Sequence, residues 1–233
     1  MLRVSMRVLA AVLGLLLASS AHPAFAQDPP PLIPWVIVDL HGSLPRLPSD
    51  DAQLAESRGM NVAELPGSGL GMQLGLHLYP LHTRLVTVGV GGELATGRAR
   101  QTPPAGATVK SATGVVTPLR AAEERITSLS PQLSLNFGNG SGWSYLSVGL
   151  GQTTWSIAPA DLVDYPPNSD KLKTLNYGGG GRWFIRPHVA FSFDVRFYAI
   201  NPGTAAFNPG TTIVFPGTPR TTLLIIGAGI SLK

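Results

Sequence analysis

Between Leu70 and Tyr79, the apolar residues Leu70, Met72, Leu74, Leu76 and Leu78 alternate with Gly71, Gln73, Gly75, His77 and Tyr79. A strand turns successive side chains to opposite faces, so the segment is predicted to carry one greasy face and one small or polar face. From Val189 to Tyr198, Val189, Phe191, Phe193, Val195 and Phe197 alternate in the same way with Ala190, Ser192, Asp194, Arg196 and Tyr198. The same test along the chain predicts eight strands, at 35–43, 70–79, 84–94, 126–137, 143–157, 175–185, 189–198 and 222–232. Ile37, Leu223 and Ile225 fall on the otherwise polar parity of the first and last strands. Helical periodicity competes only near 50–59, where Ser49 is placed to cap a short helix whose first turn carries Asp50 and Asp51.

The connections alternate long and short. Pro80 to Thr83, Gly138-Asn139-Gly140 and Arg186-Pro187-His188 are tight reversals of turn-forming residues, whereas 44–69, 95–125, 158–174 and 199–221 are long, polar and rich in Pro and Gly. An even number of antiparallel strands puts both chain ends on one side, with every short turn beside them. Aromatic residues collect at both rims of the predicted barrel: Trp35, Tyr79, Phe137, Trp143 and Trp183 at the turn end, and Trp155, Tyr177, Phe197 and Tyr198 at the other. Amphipathic rings favour the headgroup level of a bilayer, so all nine are expected in aromatic girdles.

Alternation does not say which face looks outward. A soluble barrel hides its apolar face and a membrane barrel displays it. The eight segments contain only six charged residues, Asp39, Arg84, Glu93, Arg182, Asp194 and Arg196. Their polar parity is mostly Gly, Ser, Thr, Asn and Gln, which suits a narrow interior better than a surface wetted by Lys and Glu. Composition agrees: in 233 residues, 44% are hydrophobic and 13% charged, with a mean hydropathy of +0.19. No Cys is present, which excludes a disulfide scaffold and a thiolate metal site. At the N-terminus, Arg3 and Arg7 precede the apolar run Val8 to Leu17, and Ala24-Phe25-Ala26 supplies the small residues of a cleavage site. Residues 1–26 are therefore expected to be a cleaved signal peptide, with Ala24 and Ala26 at the recognition positions, and 27–233 to form the barrel domain. Loss of Arg3 and Arg7 reduces a formal net charge of +4, so the basic balance implies no nucleic-acid partner.

The strand Leu175-Asn176-Tyr177-Gly178-Gly179-Gly180-Gly181-Arg182-Trp183-Phe184, the turn Arg186-Pro187-His188 and the following strand carrying Asp194 and Arg196 resemble the small outer-membrane β-barrel proteins of Gram-negative bacteria, the OmpA/OmpX-like barrel domains. The resemblance covers about residues 30–233. It implies an all-β fold, an eight-stranded antiparallel up-and-down transmembrane β-barrel with short periplasmic turns and long extracellular loops, located in the cell outer membrane. It also implies contact with outer-membrane lipids and with the barrel-assembly machinery during insertion. Members usually end in an aromatic residue, whereas this chain ends Ile230-Ser231-Leu232-Lys233. A monomer is expected.

Seven ionisable residues fall on the interior parity: Asp39, His41, His77, Glu93, Arg182, Asp194 and Arg196. An eight-stranded barrel is about wide enough for side chains to fill, so these groups are expected to pair across the lumen and plug it. The expected role is structural or interactive in the cell envelope, without enzymatic activity, cofactor or metal. Two alternatives stand beside it. Lumen glycines leave room for a narrow ion or small-solute channel. Asp39, His41 and Ser43 share a parity and superficially supply the parts of a lipid-modifying enzyme, although same-face neighbours on a strand lie nearly 7 Å apart, too far for direct hydrogen bonds. His41, His77, His82 and His188 show no metal-ligand spacing.

Overall fold

The computed structural model describes residues 31–110, 114–160, 169–204, 206–207 and 214–233. Residues 1–26, expected to be a cleaved signal peptide with Ala24 and Ala26 at its recognition positions, lie outside the described residues. Eight long strands, β1 (Val36–Arg46), β2 (Gly69–His82), β3 (Thr87–Gln101), β6 (Ala122–Asn139), β7 (Gly142–Pro159), β8 (Ser169–Arg186), β9 (Val189–Ile200) and β12 (Thr221–Leu232), form a closed barrel. Each pairs antiparallel with its chain neighbours in the barrel, and β1 meets β12 from Val38↔Leu232 to Arg46↔Leu224 to close it. Two small hairpins lie in the long connections: β4 (Thr108–Lys110) with β5 (Val116–Pro118), and β10 (Ala206–Phe207) with β11 (Val214–Phe215).

Burial decides the question that alternation leaves open. In β1 every second residue is exposed, starting at Val36, and the residues between them are buried. Leu74, Leu76 and Leu78 of β2, Leu133 and Leu135 of β6, Leu146, Val148 and Leu150 of β7, and Phe191 and Phe193 of β9 all face outward. So much contiguous exposed apolar surface, wrapped around a polar interior, is the surface of a barrel that spans a membrane.

Every barrel strand runs further from the short turns than alternation predicts, and β3, β6 and β8 run furthest beyond it. β3 continues from 94 to Gln101, β6 starts at Ala122, β7 reaches Pro159 and β8 starts at Ser169. The physical reason is an inversion of pattern. In and beside these extensions apolar Ala95, Ala99, Ile126, Ile157 and Leu172 turn inward together with the polar Glu124 and Thr174, while Arg98, Arg125, Thr127, Gln152, Thr154, Lys171 and Lys173 face out. That is the arrangement of a barrel wall standing in water, so a search for apolar-out alternation stops at the rim.

Local corrections follow hydrogen bonding. Asp51, not Ser49, caps the helix α1 (Ala52–Ser57), its Oδ1 accepting from the backbone N–H of Gln53 and Leu54 at 3.0 Å. β2 extends to His82, and Arg84 lies in the turn closed by Thr83 N–H donating to Val86 O at 3.0 Å. In the 138–141 turn, Gly138 takes φ +137°, and a Cβ there would lie 2.5 Å from Gly142 O. Only glycine fits such a position without strain.

Candidate functional site

The interior is built in three layers, and the sequence places each. The middle layer comes from the polar parity of β1, β2, β3, β8, β9 and β12. Arg182 of β8 meets Asp39 of β1 with two parallel bonds, Nε to Oδ1 at 2.9 Å and Nη2 to Oδ2 at 2.5 Å. This is the fork geometry that suits guanidinium to carboxylate. Ser231 Oγ–H donates to the same carboxylate, and His77 Nε2 stands 3.4 Å from Asp39 Oδ2. The Arg182 guanidinium carbon also sits 4.2 Å from the ring centroid of Tyr145 and 5.6 Å from that of Trp143.

Arg196 forms the second cluster. Its Nε lies 2.6 Å from Asp194 Oδ2 and 2.7 Å from Glu93 Oε2, and Tyr198 O–H donates to the other Glu93 oxygen. His41 Nε2 pairs with Ser192 Oγ at 2.7 Å. All seven ionisable positions on the interior parity are buried in the lumen, where two guanidiniums face three carboxylates.

Lumen glycines make this packing possible. A Cβ on Gly227 would lie 2.0 Å from Gln73 Oε1, one on Gly91 2.6 Å from His77 Nδ1, and one on Gly180 2.8 Å from the Tyr145 hydroxyl. The space beside each of these three glycines is therefore occupied by a side chain.

Above and below the polar layer stand two apolar lids. At the turn end, Ile33, Ile37, Tyr79 and Trp143 form a buried cluster, with Phe184 packed on it. Tyr79 meets Trp143 edge-on at 6.1 Å between centroids, and Trp143 stacks on Phe184 at 5.4 Å. The chain ahead of β1 is tied beneath the barrel: Gly140 N–H donates to Pro31 O at 2.5 Å, and His82 Nε2 lies 2.8 Å from Ile33 O.

At the loop end, α1 brings Leu54 and Ala55 against Ile126, Trp155, Ile157, Tyr198, Ile200, Leu223 and Ile225. Trp155 Nε1–H donates to Glu124 Oε1 at 2.6 Å. Arg58, which ends α1, reaches Asp170 Oδ2 at 2.7 Å and Thr218 Oγ1 at 3.1 Å, and Thr218 O–H donates to the same Asp170 oxygen. Burial lowers the Arg58 guanidinium from its ordinary range, and Asp170 beside it opposes the shift.

Four of the nine residues expected in the aromatic girdles therefore sit elsewhere. Trp35, Phe137, Tyr177, Trp183 and Phe197 face outward, but Tyr79, Trp143, Trp155 and Tyr198 are at most 3% exposed and point into the barrel. The reason is parity: Tyr79 follows His77, Tyr198 follows Arg196, Trp143 precedes Tyr145, and Trp155 follows Thr153, all on the inner face. Ile37, Leu223 and Ile225, which break the alternation, belong to the lids for the same reason. Sequence reasoning missed Glu124, Arg58 and Asp170, which lie in or beside connections read as loops; the signal available was the apolar-in parity of Ile126, Ile157 and Leu172. Asp39, His41 and Ser43 do not assemble as a unit, since Asp39 is held by Arg182 and His41 by Ser192.

No family model and no curated protein matches the chain. Among solved structures, similarity is found to Neisserial surface protein A, at 12% identity and a TM-score of 0.43, covering 85% of this chain and 95% of that one. It is found also to Ail, the attachment invasion locus protein of Yersinia pestis, in complex with the heparin analogue sucrose octasulfate, at 14% identity and a TM-score of 0.41, covering 84% and 96%. A third is the outer membrane protease OmpT from Escherichia coli, at 8% identity and a TM-score of 0.41, again covering 84% and 96%.

Proposed function

We propose that the chain is an outer-membrane barrel with a sealed interior, whose role is structural or interactive and is exercised through the loop end. The observation that carries this reading is the order of the interior layers: an apolar lid, an ion-paired polar layer and a second apolar lid. A polar path through a pore needs continuous polar lining, whereas here two packed layers of largely apolar side chains flank the ion pairs, and the polar groups at the loop end are held by partners, Glu124 by Trp155 and Arg58 by Asp170. The loop end holds α1 and both small hairpins, and is the end that presents a folded surface. Short turns on the periplasmic side and long loops outside are the usual arrangement of such barrels, which supports loops on the cell surface.

The absence of Cys from the sequence makes orientation simple to test. A membrane-impermeant maleimide applied to intact cells is expected to label Thr102→Cys, which is exposed at the loop end, and to leave Ser141→Cys, exposed at the turn end, unlabelled until the envelope is broken. Labelling of Ser141→Cys alone on intact cells reverses the orientation and overturns the reading.

A further inference from the structure

We propose that the outer face of β3, β6, β7 and β8, above the apolar belt, is a docking surface for the phosphorylated headgroups of the lipid leaflet on the loop side. The inference rests on the orientation proposed above. On three of these strands the outward positions above the belt carry cations, Arg98 and Arg100 on β3, Arg125 on β6, Lys171 and Lys173 on β8, while β7 between them presents Gln152 and Thr154. Glu123 is the one acid at an outward position of these strands among the described residues, and it pairs with both Arg98, at 2.5 Å, and Arg125; Asp170, which lines a cleft beside Lys171 and Lys173, is held by Arg58. Arg100, Lys171 and Lys173 thus add to a face that carries five cations against one anion. The opposite wall carries fewer cations, Arg46 at the end of β1 and Arg220 ahead of β12, beside exposed Leu44 and Leu70.

The cations sit on one continuous sheet. Register sets Arg98 opposite Arg125, Thr127 opposite Thr154, Thr154 opposite Lys171 and Gln152 opposite Lys173. Polar hydroxyls and an amide therefore fill the positions between the basic ends.

Two open clefts, of ≈ 490 and ≈ 400 Å³, share Lys173 and Asn201. The larger has a polar upper edge, Gln152 with Lys173, and an apolar lower edge, Leu150 with Leu175, directly opposite one another in the register. Below it, outward Tyr177 and Phe197 stack at 5.4 Å between centroids. The change from cationic to apolar surface takes place over two residues, about 7 Å along the strand. That is the profile of a lipid, with an anionic headgroup on the lysines and acyl chains on the leucines and rings, and a free anion has no use for the lower half.

The test is native mass spectrometry of the folded, detergent-solubilised protein titrated with diphosphoryl lipid A. The wild-type barrel is expected to retain lipid adducts, and a variant carrying Arg100→Gln, Lys171→Gln and Lys173→Gln to bind at least about tenfold more weakly. Arg84→Gln with Arg186→Gln, at the opposite rim, is expected to leave binding unchanged. Unchanged heat-modifiable gel migration shows that each variant is folded. Equal binding by the triple variant, equal binding of phosphatidylcholine, or full competition by inorganic phosphate each overturns the proposal. If binding fails while Thr102→Cys is still labelled from outside, the lipid site alone is wrong; if the labelling pattern is reversed, the orientation on which it rests has failed first.

Discussion

Replacing Asp39 with Ala is expected to destabilise the folded barrel by about 3–5 kcal/mol, because it leaves Arg182 buried without its carboxylate. Arg182 is only 1% exposed, and Asp39 supplies both of its charged hydrogen bonds. Ser231 and His77 lose a partner in the same substitution. Urea unfolding of the detergent-folded protein, followed by tryptophan fluorescence, measures the loss. Asp39→Leu combined with Arg182→Met is expected to cost less than the sum of the two single changes, since the pair then leaves together and no charge is stranded. Additive costs would show that the two residues do not act as a pair.

Trp155→Ala is expected to cost about 3–5 kcal/mol, the range for deleting a buried aromatic from a packed core. Trp155 is completely buried in the lid at the loop end, and its loss also strands the Glu124 oxygen that accepts its N–H. Trp183→Ala is the natural comparison. Trp183 is 55% exposed on the outer wall and stacks on Phe191 at 6.2 Å, so its removal is expected to cost about 0.5–1.5 kcal/mol, the worth of an aromatic pair. A girdle containing both tryptophans predicts similar effects from the two substitutions, so the same unfolding measurement discriminates between the arrangements.

This contrast marks how far the sequence is legible. Strict alternation in β2 and β9 is enough to define strands, their inner and outer faces and the barrel class, because a period of two admits no other regular structure. The seven interior ionisable positions follow from the same parity. Pairing is less legible: Arg182 takes Asp39 from β1, three strands away round the barrel through β9 and β12, and nothing local to either residue announces the partner. The lids were hidden for a different reason. Ile37, Leu223 and Ile225 look like lapses in a polar face, and Trp155 and Tyr198 look like girdle rings, until position along the barrel axis is added to parity. An apolar side chain on the inner face at either end has nowhere to go but into a plug. The extensions of β3, β6 and β8 are not legible because the pattern reverses sign where the outside changes from lipid to water.

The sealed interior is the central claim, and conductance across a planar bilayer tests it most directly. With the folded wild-type protein inserted, the layered lumen predicts no reproducible current steps above the bare bilayer. Reproducible unitary steps, altered by Arg196→Ala in the polar layer, would contradict it and would make the barrel a channel.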